Sequence, residues 1–220
     1  MTHVLLIGNG AREHAIAEAI RRSAQSPLLY SFMKTNNPGI ASLSERICLG
    51  RYDEPEAIVA FARDAGVAFA IVGPEDPLSH GVVDALTAAG IPAVGPTRSL
   101  ARLETSKSFT RNLLEKYDIP GNPRFRNFTS MDGIEAFLGE LDGIVLKPDG
   151  LTGGKGVLVQ GDHFQTRAEA LELAAGPPCE FHVSSSRTCE IGMTRATGQA
   201  FVSFWEVLDA ASREEAGDRS

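Results

Sequence analysis

Residues 3–14 read H-V-L-L-I-G-N-G-A-R-E-H and predict the fold of the first part of the chain. His3–Ile7 has the apolar composition of a buried strand, and Gly8-Asn9-Gly10 has the composition of a tight turn. Apolar residues then recur with helical spacing through Arg12–Arg22. A strand, a glycine turn and a helix in this order form a βα unit of a parallel sheet, in which ligands bind beyond the carboxyl ends of the strands.

The same alternation continues over the first hundred residues. Three further apolar runs predict strands, at Leu28–Met33, Phe69–Val72 and Ile91–Val94. One helix is predicted to begin at the capping residue Asp53 and end at Gly66, and another to span His80–Ala89. We therefore expect an α/β fold in which residues 1–100 form a parallel-sheet domain.

The pattern changes after Gly95-Pro96, so a domain boundary is expected near residue 100. The predicted elements of residues 101–175 are a helix from Ser106 to Tyr117, a short helix from Ser130, strands at Ile144–Lys147 and Val157–Gln160, and a helix with a Thr166–Glu169 capping box. Residues 176–220 show no sustained period of either kind. We expect them to form a poorly ordered tail.

Composition excludes several classes of protein. The 220 residues carry 21 basic and 28 acidic side chains, a formal net charge of −7, so no global basic field exists for nucleic acid or an anionic membrane. The three cysteines are widely spaced, which argues against a disulfide framework and favours a reducing compartment. The apolar run near the N-terminus is too short for a signal peptide or a membrane span, so we expect a cytoplasmic protein.

The first glycine turn is a candidate phosphate site. Glycines let backbone N–H groups approach a phosphate, and the positive end of the following helix points there. Dinucleotide binding is disfavoured, because Glu13 replaces the third glycine of that fingerprint and Lys34 stands where an acidic residue would hold a ribose. Arg12 instead suggests bidentate binding of a phosphate monoester. The alternative is a plain tight turn with a solvent-facing arginine.

A second candidate site follows the strand Phe69–Val72. Gly73-Pro74-Glu75-Asp76 forms a rigid turn with two carboxylates, and an acid there could orient an amine or a sugar hydroxyl. The alternative is a cap on the helix that follows.

The segment Lys147–Gly156 joins two strands through a glycine-rich loop that carries a lysine at each end. Exposed N–H groups and two cations suit a flap that closes over a triphosphate. The spacing differs from that of a Walker loop, and a strand rather than a helix follows. The alternative is a hairpin whose lysines are solvated.

The order of five motifs is more specific than any one of them. They are G-x-G-x-R-E-H-A at residues 8–15, N-P-G at 37–39, V-G-P-E-x-P-L at 72–78, L-E-x-S-K-x-F at 103–109 and K-x-D-G-L-x-x-G-K-G at 147–156. This order closely resembles the phosphoribosylamine–glycine ligase family of the ATP-grasp superfamily, over about residues 3–174. The resemblance implies a Rossmann-like domain followed by part of an ATP-grasp domain.

The resemblance also implies a reaction and its participants. ATP, glycine and 5-phosphoribosylamine would give glycinamide ribonucleotide, ADP and phosphate in purine biosynthesis, through a glycyl phosphate. The implied ATP contacts are Lys107, Lys147, Gly153, Gly154, Lys155 and Gly156. The implied phosphoribosylamine contacts are Gly8, Gly10, Arg12, Gly73, Pro74 and Glu75. Mg²⁺ is the implied metal, with Mn²⁺ as a substitute.

The family pattern is not found beyond about residue 175. The metal ligands expected there have no counterpart, and the expectation at this point is a truncated or frameshifted end, with weakened activity. Two other functions stay open: a nucleotide- or phosphosugar-binding fragment without catalysis, and another ATP-grasp ligase.

Overall fold

The computed structural model describes residues 1–152, 156–176 and 181–184. It divides into two compact units, Met1–Leu113 and Leu114–Ser220, and each has its own hydrophobic core. Within the described ranges, every helix is too short or too polar to traverse a lipid bilayer.

The first unit contains a five-stranded parallel sheet with the strand order β3-β2-β1-β4-β5. Its strands are β1 His3–Ile7, β2 Leu28–Met33, β3 Arg46–Leu49, β4 Phe69–Val72 and β5 Ala93–Val94. The helices are α1 Ala11–Arg21, α2 Pro38–Leu43, α3 Pro55–Asp64, α4 Glu75–Ser79, α5 Val82–Ala88 and α6 Arg98–Thr105, and α7 Lys107–Lys116 follows across the boundary between the units.

Successive residues of β1 point into two different cores, one on each face of the sheet. Leu6 packs with α1 and α2 through Ala17 and Ile40. Leu5 and Ile7 belong to the other core, which α3 and α5 cover. Because both faces are buried, the strand reads as a continuous apolar run, as the sequence predicted.

The second unit contains a four-stranded sheet with the order β6-β9-β7-β8, whose pairs are all antiparallel. Its elements are β6 Phe125–Phe128, α8 Ile134–Gly139, β7 Val145–Pro148, β8 Leu158–Val159, α9 Arg167–Ala174 and β9 Phe181–Ser184. Phe137, Leu138, Leu146 and Phe164 lie in the core of this unit. The strand β9 falls in the predicted tail, where the pattern indicated no element; the rest of that tail, residues 177–180 and 185–220, lies outside the described residues.

Two local predictions are corrected. Asp53 does not cap α3, because its carboxylate accepts a hydrogen bond from Arg51 Nε at 3.0 Å and Glu54 occupies the N-cap position. The predicted helix His80–Ala89 is shorter, since it begins at Val82, and the short helix α4 precedes it. Gly81 separates the two helices with φ +77°, a conformation that glycine adopts without strain.

The capping box that opens α9 is confirmed. Glu169 N–H donates to Thr166 Oγ1 at 3.2 Å, and Glu169 Oε2 accepts from the N–H groups of Gln165 at 2.7 Å and Thr166 at 3.4 Å. These backbone donors hold the pKa of the Glu169 carboxyl below its ordinary value.

Candidate functional site

A cleft of about 500 Å³ opens in the first unit, at the carboxyl ends of the central strands. The chain proceeds from β1 to β2 and β3 on one side and then returns to β4 on the other, so β1 and β4 flank the topological switch point of the sheet. The cleft is lined by Asn9, Gly10, Ala11, Arg12, Glu13, Lys34, Tyr52, Pro74, Glu75 and Asp76.

The Glu13 side chain fills the space between the two glycine turns. It is only 2% exposed. A Cβ atom at Gly73 would lie 2.5 Å from Glu13 Oε1, and one at Gly10 would lie 2.7 Å from Oε2. A Cβ at Gly8 would collide with Glu13 Cγ and would lie 2.7 Å from Pro74 Cδ. The glycines therefore make room for a buried carboxylate, a requirement that the sequence did not reveal.

The backbone amides of these glycines already have acceptors. Gly8 N–H donates to Phe32 O at 3.1 Å, Gly73 N–H to Ile7 O at 3.1 Å, and Gly10 N–H to Glu13 Oε2 at 2.7 Å. The donors that remain for an anion at this place are the amides in the first turn of α1, which have no intrahelical acceptor, and the side chains of the cleft. A phosphate in this cleft would therefore be bound mainly by the side chains of Arg12 and Lys34 rather than by the backbone amides of the glycines.

Two ion pairs lie on the wall of the cleft. Arg12 Nη2 donates to Glu75 Oε2 at 3.1 Å, and Lys34 Nζ donates to Asp76 Oδ2 at 3.3 Å. Both cations are 60% exposed, so each pair contributes little to stability and can exchange partners readily. The cleft thus presents two cations and two carboxylates that a ligand with both kinds of group could engage.

Tyr52 connects the loops beneath these ion pairs. Its hydroxyl donates to Asn9 Oδ1 at 2.7 Å and accepts from Lys34 N–H at 3.2 Å. Burial raises the pKa of Tyr52 to about 12, because the tyrosinate would lose its hydration. The side chain of Asn9 also donates to Thr35 Oγ1, and Asn37 Nδ2 donates to Asn9 O.

The structure brings the six predicted phosphoribosylamine contacts together. Gly8 and Gly10 meet Gly73 across Glu13, Pro74 packs on Gly8, and Arg12 binds Glu75. Asn9 and Tyr52 were not predicted to belong to this site, Asp76 was predicted only as the second carboxylate of the turn after β4, and Lys34 only as an argument against dinucleotide binding. For Tyr52 no local signal existed, because its partner Asn9 is 43 residues away.

Three of the predicted ATP contacts, Lys107, Lys147 and Gly156, are among the described residues, and the lining of the cleft does not include them. Lys107 is the first residue of α7, in the first unit. Lys147 lies in β7 of the second unit and is only 7% exposed, on the sheet face opposite the core residue Leu146. Gly156 has φ +82°, and a Cβ there would lie 3.0 Å from Pro148 Cγ, so the two ends of the glycine-rich loop approach closely. Gly153, Gly154 and Lys155 lie outside the described residues.

Among the residues that the structure describes, no group of three or more His, Cys, Asp or Glu side chains could hold a metal ion.

Two family models match adjacent parts of the chain. The N domain of phosphoribosylglycinamide synthetase matches residues 2–104, and the ATP-grasp (A) domain of the same family matches residues 105–176.

Curated relatives that carry the name of this family align with a stretch of similar length. A phosphoribosylamine–glycine ligase from Methanopyrus kandleri is 50% identical over 174 residues, and one from Methanococcoides burtonii is 44% identical over 172 residues. Each alignment covers 78% of this chain but only 39% and 40% of the respective relative. The chain thus spans about two fifths of the length of these curated relatives.

Solved structures share the fold. An N5-carboxyaminoimidazole ribonucleotide synthetase, in its ADP complex, superposes with a TM-score of 0.67 at 19% identity, over 83% of this chain and 46% of its own. A phosphoribosylamine–glycine ligase from Thermotoga maritima superposes with a TM-score of 0.62 at 21% identity, over 84% of this chain and 44% of its own. Together with the parallel sheet, these likenesses confirm the predicted α/β fold class.

Proposed function

Since the chain belongs to the phosphoribosylglycinamide synthetase family, we propose that its first unit binds 5-phosphoribosylamine for ligation to glycine. In the complete reaction ATP, glycine and 5-phosphoribosylamine give glycinamide ribonucleotide, ADP and phosphate. The proposed location is the cytoplasm, since the widely spaced cysteines suit a reducing compartment.

The observation that carries this proposal is the paired charge in the cleft. A ligand phosphate can replace Glu75 as the partner of Arg12 and Asp76 as the partner of Lys34, because charge-assisted hydrogen bonds to phosphate are strong and both cations are accessible. The two carboxylates then lose these cations, although Asp76 keeps His80 Nδ1 3.3 Å from its Oδ1, and both can accept hydrogen bonds from ribose hydroxyls or from the amine. Phosphoribosylamine carries an anion, hydroxyls and an amine in one small molecule, and so matches both sets of groups.

The chemistry proceeds in two displacements. A carboxylate oxygen of glycine attacks the γ-phosphorus of ATP, and ADP leaves. The amine nitrogen of phosphoribosylamine then attacks the carbonyl carbon of glycyl phosphate, the amine loses a proton, and inorganic phosphate leaves. The first displacement brings an anion toward a triphosphate, so cationic side chains must offset the repulsion and stabilise the transferring group.

Lys147 and Lys107 are the cations that we assign to ATP. Lys147 stands on β7 immediately before the glycine-rich loop, and Gly156 allows the returning end of that loop to approach Pro148. We propose that the whole loop, with Gly153, Gly154 and Lys155, covers the phosphates. No step is assigned to Mg²⁺ or Mn²⁺.

The proposal is tested by binding, which does not depend on turnover. Ribose 5-phosphate, a stable relative of phosphoribosylamine, should bind the chain in calorimetric titrations, whereas ribose should bind far more weakly. Arg12→Ala should reduce the affinity about 10- to 100-fold, since it removes a charged donor to phosphate.

Arg22→Ala is the matched control. Arg22 lies at the other end of the same helix, 70% exposed and paired with Glu18, and its loss should leave the affinity unchanged. If ribose 5-phosphate does not bind, or binds Arg12→Ala as well as the unaltered chain, the assignment of this cleft is wrong.

A further inference from the structure

We propose that the Tyr52 hydroxyl is a positioning group that fixes the ligand-binding turns of the first unit before the ligand arrives. The inference rests on the proposed function, because it takes the cleft at β1 and β4 as the phosphosugar site. Tyr52 itself is 4% exposed and is not required to touch the ligand.

The turn between β1 and α1 needs anchors from outside itself. Asn9 stands between two glycines, and Gly8 has φ +135°, so the backbone here has wide conformational freedom. Three hydrogen bonds from other loops restrain Asn9: Tyr52 Oη donates to its Oδ1 at 2.7 Å, its Nδ2 donates to Thr35 Oγ1 at 3.0 Å, and Asn37 Nδ2 donates to its backbone oxygen at 3.1 Å.

The same hydroxyl also restrains the loop that follows β2. It accepts a hydrogen bond from the backbone N–H of Lys34 at 3.2 Å. One oxygen atom therefore joins the loops that follow β1, β2 and β3, because Asn9, Lys34 and Tyr52 belong to these three loops respectively. The tyrosine ring is itself held in the core, with its centroid 6.4 Å from that of Phe32.

Through these two hydrogen bonds, Tyr52 restrains the backbone segments that carry both cations of the cleft. The turn that contains Asn9 leads directly to Arg12 and the first-turn amides of α1, and the Lys34 backbone carries the second cation. Because these groups are already fixed before the ligand arrives, binding loses less conformational entropy. The Tyr52→Phe substitution would keep the ring packing and leave both Asn9 Oδ1 and Lys34 N–H without this partner.

The test compares Tyr52→Phe with Tyr30→Phe. Tyr30 lies in β2, outside the lining of the cleft, and its ring centroid is 5.1 Å from that of His3. Tyr30→Phe is the control, because it also removes one tyrosine hydroxyl. In Tyr52→Phe, amide hydrogen exchange of the segments 8–14 and 33–37 should accelerate about 3- to 10-fold, as expected for a lost buried hydrogen bond. The dissociation constant for ribose 5-phosphate should rise by a similar factor, and Tyr30→Phe should change neither.

A purely structural role would give a different result. It would lower the resistance of the unit to urea while the affinity, measured well below the unfolding transition, stayed the same; that result overturns the proposal. Unchanged exchange in both segments also overturns it.

Two further outcomes are separable. If the unaltered chain does not bind ribose 5-phosphate, the proposed function fails, and the exchange measurement still decides whether Tyr52 fixes the turns. If Tyr52→Phe does not fold, Asn9→Ala removes the Tyr52–Asn9 hydrogen bond from the other side, together with the bond from Asn9 Nδ2 to Thr35, and leaves the bond from Lys34 N–H to Tyr52 in place. Unchanged exchange in residues 8–14 together with unchanged affinity would then reject the proposal.

Discussion

Replacing Gly73 by alanine should destabilise the first unit through a single steric conflict. The backbone of Gly73 lies outside the left-handed region, so alanine is not strained there by its φ angle. The added Cβ would instead lie 2.5 Å from Glu13 Oε1 and 2.6 Å from Glu13 Cγ. Either the glutamate or the turn must move.

The glutamate has little room to move. Its side chain is 97% buried, its Oε2 is held by Gly10 N–H at 2.7 Å, and its Cγ fills the position that a Cβ at Gly8 would take. Among the described residues its buried Oε1 has no hydrogen-bond partner, and Arg12 Nε lies 4.0 Å from it. Overpacking of this kind costs about 1–3 kcal/mol.

A double-mutant cycle isolates the conflict. Glu13→Ala removes the atoms that a Cβ at position 73 would meet, so Gly73→Ala should then cost less than about 0.5 kcal/mol, which gives a coupling of about 1–2 kcal/mol. Urea unfolding followed by circular dichroism measures all four chains. Gly139→Ala, at an exposed helical position with nothing within 4 Å of the added carbon, is the control and should be neutral or slightly stabilising. Additive costs at Gly73 and Glu13 would refute the reasoning.

Two more predictions concern charge. The folded chain keeps the Tyr52 proton up to about pH 12, whereas an unfolded tyrosine loses it near pH 10. The free energy of unfolding should therefore fall between these pH values, by at most roughly 1.4 kcal/mol per pH unit. Urea titrations at several pH values measure this dependence, and the same dependence in Tyr52→Phe would contradict the prediction. Lys147→Met should weaken ATP binding about 10-fold in calorimetry by removing a charged donor, whereas Lys116→Met, at an exposed position, should not; equal affinities would remove Lys147 from the site.

The strands that the sequence predicted with correct ends are those buried on both faces. His3–Ile7, Leu28–Met33 and Phe69–Val72 agree with the structure residue for residue. Each is an apolar run bounded by polar or turn-forming residues, and parallel strands covered by helices on both sides have this composition.

Besides β6, the sequence did not predict the strands β3 and β9, and these two lack that signal for physical reasons. Arg46–Leu49 is an edge strand with three exposed residues, so neither an apolar run nor a strict alternation marks it. Phe181–Ser184 takes its place by pairing with β6 and β7, which lie more than 30 residues earlier in the chain. Pairing at such a distance leaves no trace in local periodicity.

The candidate site was predicted from its glycines, but in the structure these glycines have a different physical role. Local sequence rules attribute a G-x-G turn to backbone donors that meet a phosphate, whereas the donors of Gly8, Gly10 and Gly73 are satisfied internally. What each of these positions lacks is space for a Cβ beside Glu13. The two turns that the sequence predicted to share a site lie together because both make room for Glu13, and the ligand assigned to them stays a prediction.

The neighbouring motifs are explained by the same principle. A Cβ at Gly39 would collide with the His14 ring and lie 2.9 Å from its Nδ1, so the glycine of N-P-G and the histidine of R-E-H form one packed contact. Glu13 joins the G-x-G and V-G-P-E turns in the same way. These glycines therefore report on packing around two α1 side chains, while the exchangeable charges of Arg12 and Lys34 face the cleft. Ligand preference should accordingly follow changes at the ion pairs, and changes at the glycines should act first on stability.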